Sequence, residues 1–170
     1  MQSLHPIEST VEVPCPIAYF EVKTLNVADK ELKLFGLGLA GSDYPIQRVV
    51  GSENSVGLRG DGKVFVDNQE KFNLNMSHIQ NGSGLAFNLK GSPCYVGIGF
   101  ISRSKTVFFT VNGKEVYQMT LPECLLKKSK LFPSFSMGSL EDRVSVNFGE
   151  GKTPFVFDLK GKVNVSTINV

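Results

Sequence analysis

Val107-Phe108-Phe109-Thr110-Val111-Asn112-Gly113-Lys114-Glu115-Val116-Tyr117 carries the strongest structural signal in the chain. Two runs rich in β-branched and aromatic residues flank Asn-Gly. Both turn residues tolerate the positive φ that a two-residue type I′ hairpin demands. Strand-like runs recur on either side. Tyr19 to Lys23 alternates, with Phe20 and Val22 on one face and Glu21 and Lys23 on the other. Phe35, Leu37 and Leu39 are interleaved with Gly36 and Gly38, and Val96, Ile98 and Phe100 with Gly97 and Gly99. Strands of this Gly-x-Gly kind fit a second face lying under a close neighbour. Leu131 to Met137 and Val144 to Phe148 supply later strands. Lys160 to Val170 is read as a tail or, from Val163 and Val165, a closing strand.

No segment keeps apolar residues at i, i+3, i+4 and i+7 over three turns. Only Leu121 to Lys130, with Pro122 near a first helical position, has room for a turn or two of helix. Short strands separated by Gly, Pro, Asn and Asp therefore predict an all-β fold, a sandwich of two antiparallel sheets. The 170 residues suit one domain.

Eighteen basic and sixteen acidic residues leave a net charge of +2. The densest basic patch, Lys127-Lys128-Ser129-Lys130, is no stripe with interleaved aromatics, which argues against nucleic acid as a partner. No apolar run approaches the ~18 residues of a membrane span. Cys15, Cys94 and Cys124 are few, odd in number and widely spaced. They fit reduced thiols in the cytosol or nucleus, and no signal peptide is visible at the N-terminus.

The motifs that would carry chemistry fail on their surroundings. Gly36-Leu37-Gly38-Leu39-Ala40-Gly41 matches G-x-G-x-x-G, but Ser42-Asp43-Tyr44-Pro45 comes next, where a dinucleotide site needs a helix. Gly57 to Lys63 lacks the spacer and the final Ser or Thr of a P-loop, and reads as a turn. His5 and His78 with three scattered cysteines assemble no metal spacing. No G-x-S-x-G elbow is present. A dispersed pair of carboxylates stays open as an enzyme reading. Tyr44 lies in a polar, Pro-containing loop, where its apolar body and hydroxyl suit a partner contact or a lid on its own core. Arg48 is placed to pair with an acidic partner group or to stay solvated.

Taken together, these segments resemble the SPRY domain family over nearly the whole chain. Eight pieces stand in family order. They are Tyr19-Phe20-Glu21-Val22; Gly36-Leu37-Gly38-Leu39; Ser55 to Leu58 with Gly60-Asp61-Gly62; Val96-Gly97-Ile98-Gly99; Val107 to Gly113; Leu131-Phe132-Pro133; Val144 to Gly149; and Pro154-Phe155-Val156-Phe157-Asp158. His5-Pro6-Ile7 and the last piece look most like the Ran-binding-protein branch. Gly60-Asp61-Gly62 in place of Gly-Asp-Asp-Gly, and Ser92-Pro93-Cys94-Tyr95 ahead of Val96, mark a divergent member.

The resemblance implies a bent two-sheet sandwich over residues 1–159, with no active site and no cofactor. It implies a non-catalytic module that binds a protein or short peptide through its loops, as a monomeric domain within a larger protein or complex. In the Ran-binding branch it also implies recruitment to a ubiquitin ligase. Carried over by position, the partner-binding residues are His5, Pro6 and Ile7; Gly41, Asp43, Tyr44 and Arg48; and Gly138, Ser139 and Leu140. Ser139 stands where peptide-binding members offer a Trp. A glycan-binding lectin-like sandwich and a structural domain of a larger scaffold are the alternatives.

Overall fold

The computed structural model describes residues 17–26, 33–74, 94–128, 130–151 and 153–162. Among the described residues, ten strands form two five-stranded antiparallel sheets. One is ordered β10-β1-β6-β7-β8, with β1 Ile17–Asn26, β6 Tyr95–Ile101, β7 Thr106–Val111, β8 Lys114–Thr120 and β10 Arg143–Asn147. The other is ordered β5-β4-β3-β2-β9, with β2 Gly36–Gly41, β3 Ser55–Arg59, β4 Lys63–Val66, β5 Gln69–Asn73 and β9 Leu131–Ser136.

The Asn-Gly hairpin forms as its residues require. Val111 pairs with Lys114, and Asn112 and Gly113 turn at φ 48° and 77°. A second two-residue hairpin, β4 to β5, turns at Asp67 and Asn68 with φ 49° and 66°. It lacks a glycine, so no Asn-Gly signal announces it. Gly57 to Lys63, expected as one turn, divides between two elements. Gly57 to Arg59 complete β3, because Leu58 belongs to the core, and only Gly60 to Gly62 turn. Glu123–Lys128 form a short helix that seats Leu125 on the core. Leu159 to Lys162 form one helical turn where a closing strand was one of two expectations; residues 163–170 lie outside the described residues.

Strand alternation sends Phe20 and Val22, Leu37 and Leu39, Val56 and Leu58, Val96 and Ile98, and Val107 and Phe109 into one core between the sheets. Each such side chain stabilises the fold by ~1.5–3 kcal/mol relative to leaving it exposed. Glu21 departs from the expected pattern. It lies on the opposite face from Phe20, yet it is only 3% exposed, because the outer face of its sheet is covered as well.

Candidate partner-binding site

Gly36 to Gly41 runs as the buried strand β2, and it leads into turns rather than a helix. The segment therefore presents no helix N-terminus to a phosphate. The turns belong to a loop held down on the outer face of its own sheet. Gly38 and Gly57 pair across β2 and β3 and leave a dent that Val50 fills. A Cβ on Gly38 would fall 2.4 Å from Val50 Cγ1, and one on Gly57 2.7 Å from it. Successive turns fold the loop, with the amides of Tyr44, Arg48 and Ser52 donating to the carbonyls of Gly41, Pro45 and Val49. Gly51 adopts φ 91°, which favours glycine, and its amide donates to Ser55 Oγ at 2.9 Å.

Tyr44 is 9% exposed, and its hydroxyl donates to the carbonyl of Arg48, closing the loop on itself. Burial pushes its phenol above the ordinary value. Of the two readings of Tyr44, the structure favours the packed lid, while its ring still lines a cleft. That cleft, of about 350 Å³, lies between this loop and strand β9. Leu34, Ile46, Gln47, Arg48 and Val49 form one side; Ser134, Phe135, Ser136, Met137 and Gly138 form the other. Leu34, Ile46 and Met137 are exposed, Ile46 by 82%. The Arg48 side chain is exposed on the rim and meets no side-chain partner among the described residues. No Asp, Glu, His or Cys lines the cleft, so the dispersed carboxylate pair is not found there.

The late loop is fixed by Asp142, whose Oδ2 accepts the amides of Gly138 and Ser139 at 2.9 and 3.0 Å. Leu140 is fully exposed and borders a separate hollow with Leu25, Asn26, Glu141 and Arg143. Of the residues expected at the surface, Tyr44, Arg48 and Gly138 meet at the cleft. Ser139 and Leu140 continue the chain from Gly138. Gly41 is buried at the end of β2, and Asp43 accepts a hydrogen bond from the side chain of Asn54. His5, Pro6 and Ile7 lie outside the described residues. Sequence reasoning missed Leu34, Ile46 and the Ser134-to-Met137 stretch. Ile46 between Pro45 and Gln47 was the available signal, a large apolar residue inside a turn-rich loop.

Two antiparallel sheets with a turn-built loop over one of them define a β-sandwich. The SPRY domain family profile matches residues 17–151, and the chain belongs to that family. A Ran-binding protein M homolog of Arabidopsis thaliana is 31% identical over 152 residues, covering 88% of this chain and 28% of that protein. Protein SSH4 of Saccharomyces cerevisiae is 28% identical over 103 residues, covering 60% of this chain and 16% of that protein. The chain thus spans under a third of the length of either relative.

Among solved structures, the SPRY domain of human HERC1 superposes with a TM-score of 0.53 at 11% identity, covering 82% of this chain and 79% of that one. The TRIM65 PSpry domain gives 0.54 at 15% identity, covering 88% and 70%. At those identities they speak for the fold alone. No helix among the described residues is long and apolar enough to cross a membrane.

Proposed function

We propose that this chain is a non-catalytic interaction module that takes a peptide, or an extended segment of a folded partner, in the cleft between the Tyr44–Val50 loop and β9. One observation carries the reading. Three of the seven large apolar side chains left exposed in the described residues, Leu34, Ile46 and Met137, line this one cleft. Exposed apolar residues gathered in this way mark contact surfaces, whereas scattered single ones do not.

Arg48 on the rim suits a carboxylate on the partner. The loop is already folded by Tyr44 and Val50, so little ordering cost opposes binding. Recruitment of partners or substrates to a ubiquitin ligase or other scaffold is the role that the likeness to Ran-binding proteins supports, and the few, widely spaced cysteines suit the cytosol or nucleus.

The test is a proximity-labelling and pull-down screen with wild type and the Ile46→Asp/Arg48→Ala double mutant. Any direct partner is then titrated against both. A partner that loses at least ~10-fold in affinity with the double mutant supports the cleft. Partners that bind both proteins equally place the docking surface elsewhere.

A further inference from the structure

The cleft lining is poor in groups that respond to solution conditions. It holds no Asp, Glu, His or Cys, and the guanidinium of Arg48 keeps its charge throughout the ordinary pH range. The Tyr44 hydroxyl is tied to the Arg48 carbonyl. Ser134 Oγ donates to the Phe132 carbonyl at 3.1 Å, and Ser136 Oγ accepts the Val50 amide at 3.4 Å. One atom of the lining is left open to reversible covalent chemistry, the thioether sulfur of Met137.

Met137 is the first residue past β9, and it is 46% exposed. Its neighbours on both sides are held. Ser136 meets Val50, and the Gly138 amide donates to Asp142 Oδ2 at 2.9 Å. The exposed side chain thus stands on an anchored backbone, beside Leu34 and Ile46. An unbranched, polarizable thioether suits a lining that adapts to an apolar partner.

The other sulfurs among the described residues are placed differently. Met119 is half-buried against the main core, and Cys94 is buried within it. Cys124 is exposed, but it sits on the short helix near Asp67 and does not line the cleft. A dissolved oxidant therefore meets one sulfur at the cleft, and it meets Met137 before Met119.

Taking the cleft as the docking surface, we propose that Met137 is a site of reversible oxidation, and that its sulfoxide weakens the docking of apolar partners. A lone pair on the sulfur attacks one oxygen of hydrogen peroxide and the O–O bond breaks. The other oxygen leaves as water after taking up the proton. The sulfur is oxidised by two electrons and the peroxide is reduced by two. The new S–O dipole is a hydrated acceptor set among apolar side chains. A partner that buries it without a donor pays the desolvation of that group. Methionine sulfoxide reductase restores the thioether.

The test treats the whole chain carrying Cys124→Ser with hydrogen peroxide, then with a thiol reductant that reverses cysteine disulfides and sulfenic acids. Peptide mass spectrometry locates the added oxygen, and circular dichroism follows the fold. Cleft binding is read by fluorescence titration of anilinonaphthalene sulfonate, whose rings and sulfonate match the apolar lining and Arg48. Met137→Leu, which stays apolar and cannot form a sulfoxide, and Ile46→Asp/Arg48→Ala are compared in the same background. Met137 is expected to take up oxygen ahead of Met119 with the fold intact. The oxidised protein should bind the dye ~10-fold more weakly, and the reductase should restore binding. The Met137→Leu protein should bind the dye alike before and after peroxide. Oxidation of Met119 as fast as Met137, loss of the fold, unchanged dye affinity, or an equal loss in the Met137→Leu protein would each overturn the switch. Dye binding that is absent, or kept in full by Ile46→Asp/Arg48→Ala, would overturn the cleft as docking surface and the switch with it.

Discussion

The two Gly-x-Gly strands, β2 and β6, share a pattern and receive different covers. Over β2 the dent at Gly38 is filled by one aliphatic side chain, Val50, and the loop carrying it leaves Leu34, Ile46 and Met137 in water. Over β6 the space above Gly97 and Gly99 is filled by two rings, and a later segment with two more rings closes on them. Polar groups divide in the same way. Glu21 has its carboxylate oxygens engaged inside the chain, while Arg48 on the cleft rim has no side-chain partner among the described residues. A glycine in a strand thus announces close approach and says nothing of what approaches. One face is completed by the chain itself, and the other leaves apolar side chains in water.

The division separates stability from binding, and mutations can break it. Glu21→Ala leaves the amides of Val156 and Phe157 without their acceptor and removes a buried carboxylate, and should lower stability by ~3 kcal/mol in urea titrations while leaving cleft affinity unchanged. An equal loss of cleft binding would show that the two faces are coupled. Ile46→Asp with Met137→Asp should do the reverse, weakening a cleft ligand by ~2 kcal/mol in calorimetry with the urea midpoint nearly unmoved. Tyr44→Phe keeps the ring and removes the hydroxyl that holds Arg48, so it should lower stability by ~1 kcal/mol and sharpen which part of Tyr44 matters.

The smallest effect is confined to alkaline pH. Burial pushes the Cys94 thiol from its ordinary 9.0 up to about 11 and raises the Tyr19 phenol as well. An unfolded chain therefore ionises first. The stability these neutral groups supply is intact below pH 9 and falls as pH rises from 9 towards 11. Urea midpoints below and within that window measure the fall, and Cys94→Ala should make it shallower.

Much of the fold was legible in the residues. Asn112-Gly113 fixed its hairpin because only a few residue types accept positive φ at both turn positions. The alternation of Phe20 with Glu21 and of Leu37 with Gly38 assigned strand faces correctly, since side chains in a strand alternate by geometry. The Asp67-Asn68 hairpin escaped because its turn lacks glycine, although both residues tolerate the left-handed region. The candidate site was legible in part. Tyr44, Arg48 and Gly138 were chosen by loop position, and the structure brings them to one cleft. Their neighbours from β9 were missed because the loop and that strand lie about ninety residues apart in the chain.

Strand class, the Asn-Gly turn and the SPRY relationship could all be read from the residues in order, because each is written in local composition and periodicity. The burial of Glu21, the pinning of a loop by Val50, and the choice of which apolar residues stay exposed were settled by folding in three dimensions. Those outcomes depend on which distant segments cover each sheet, and covering is a long-range packing choice that no local pattern encodes.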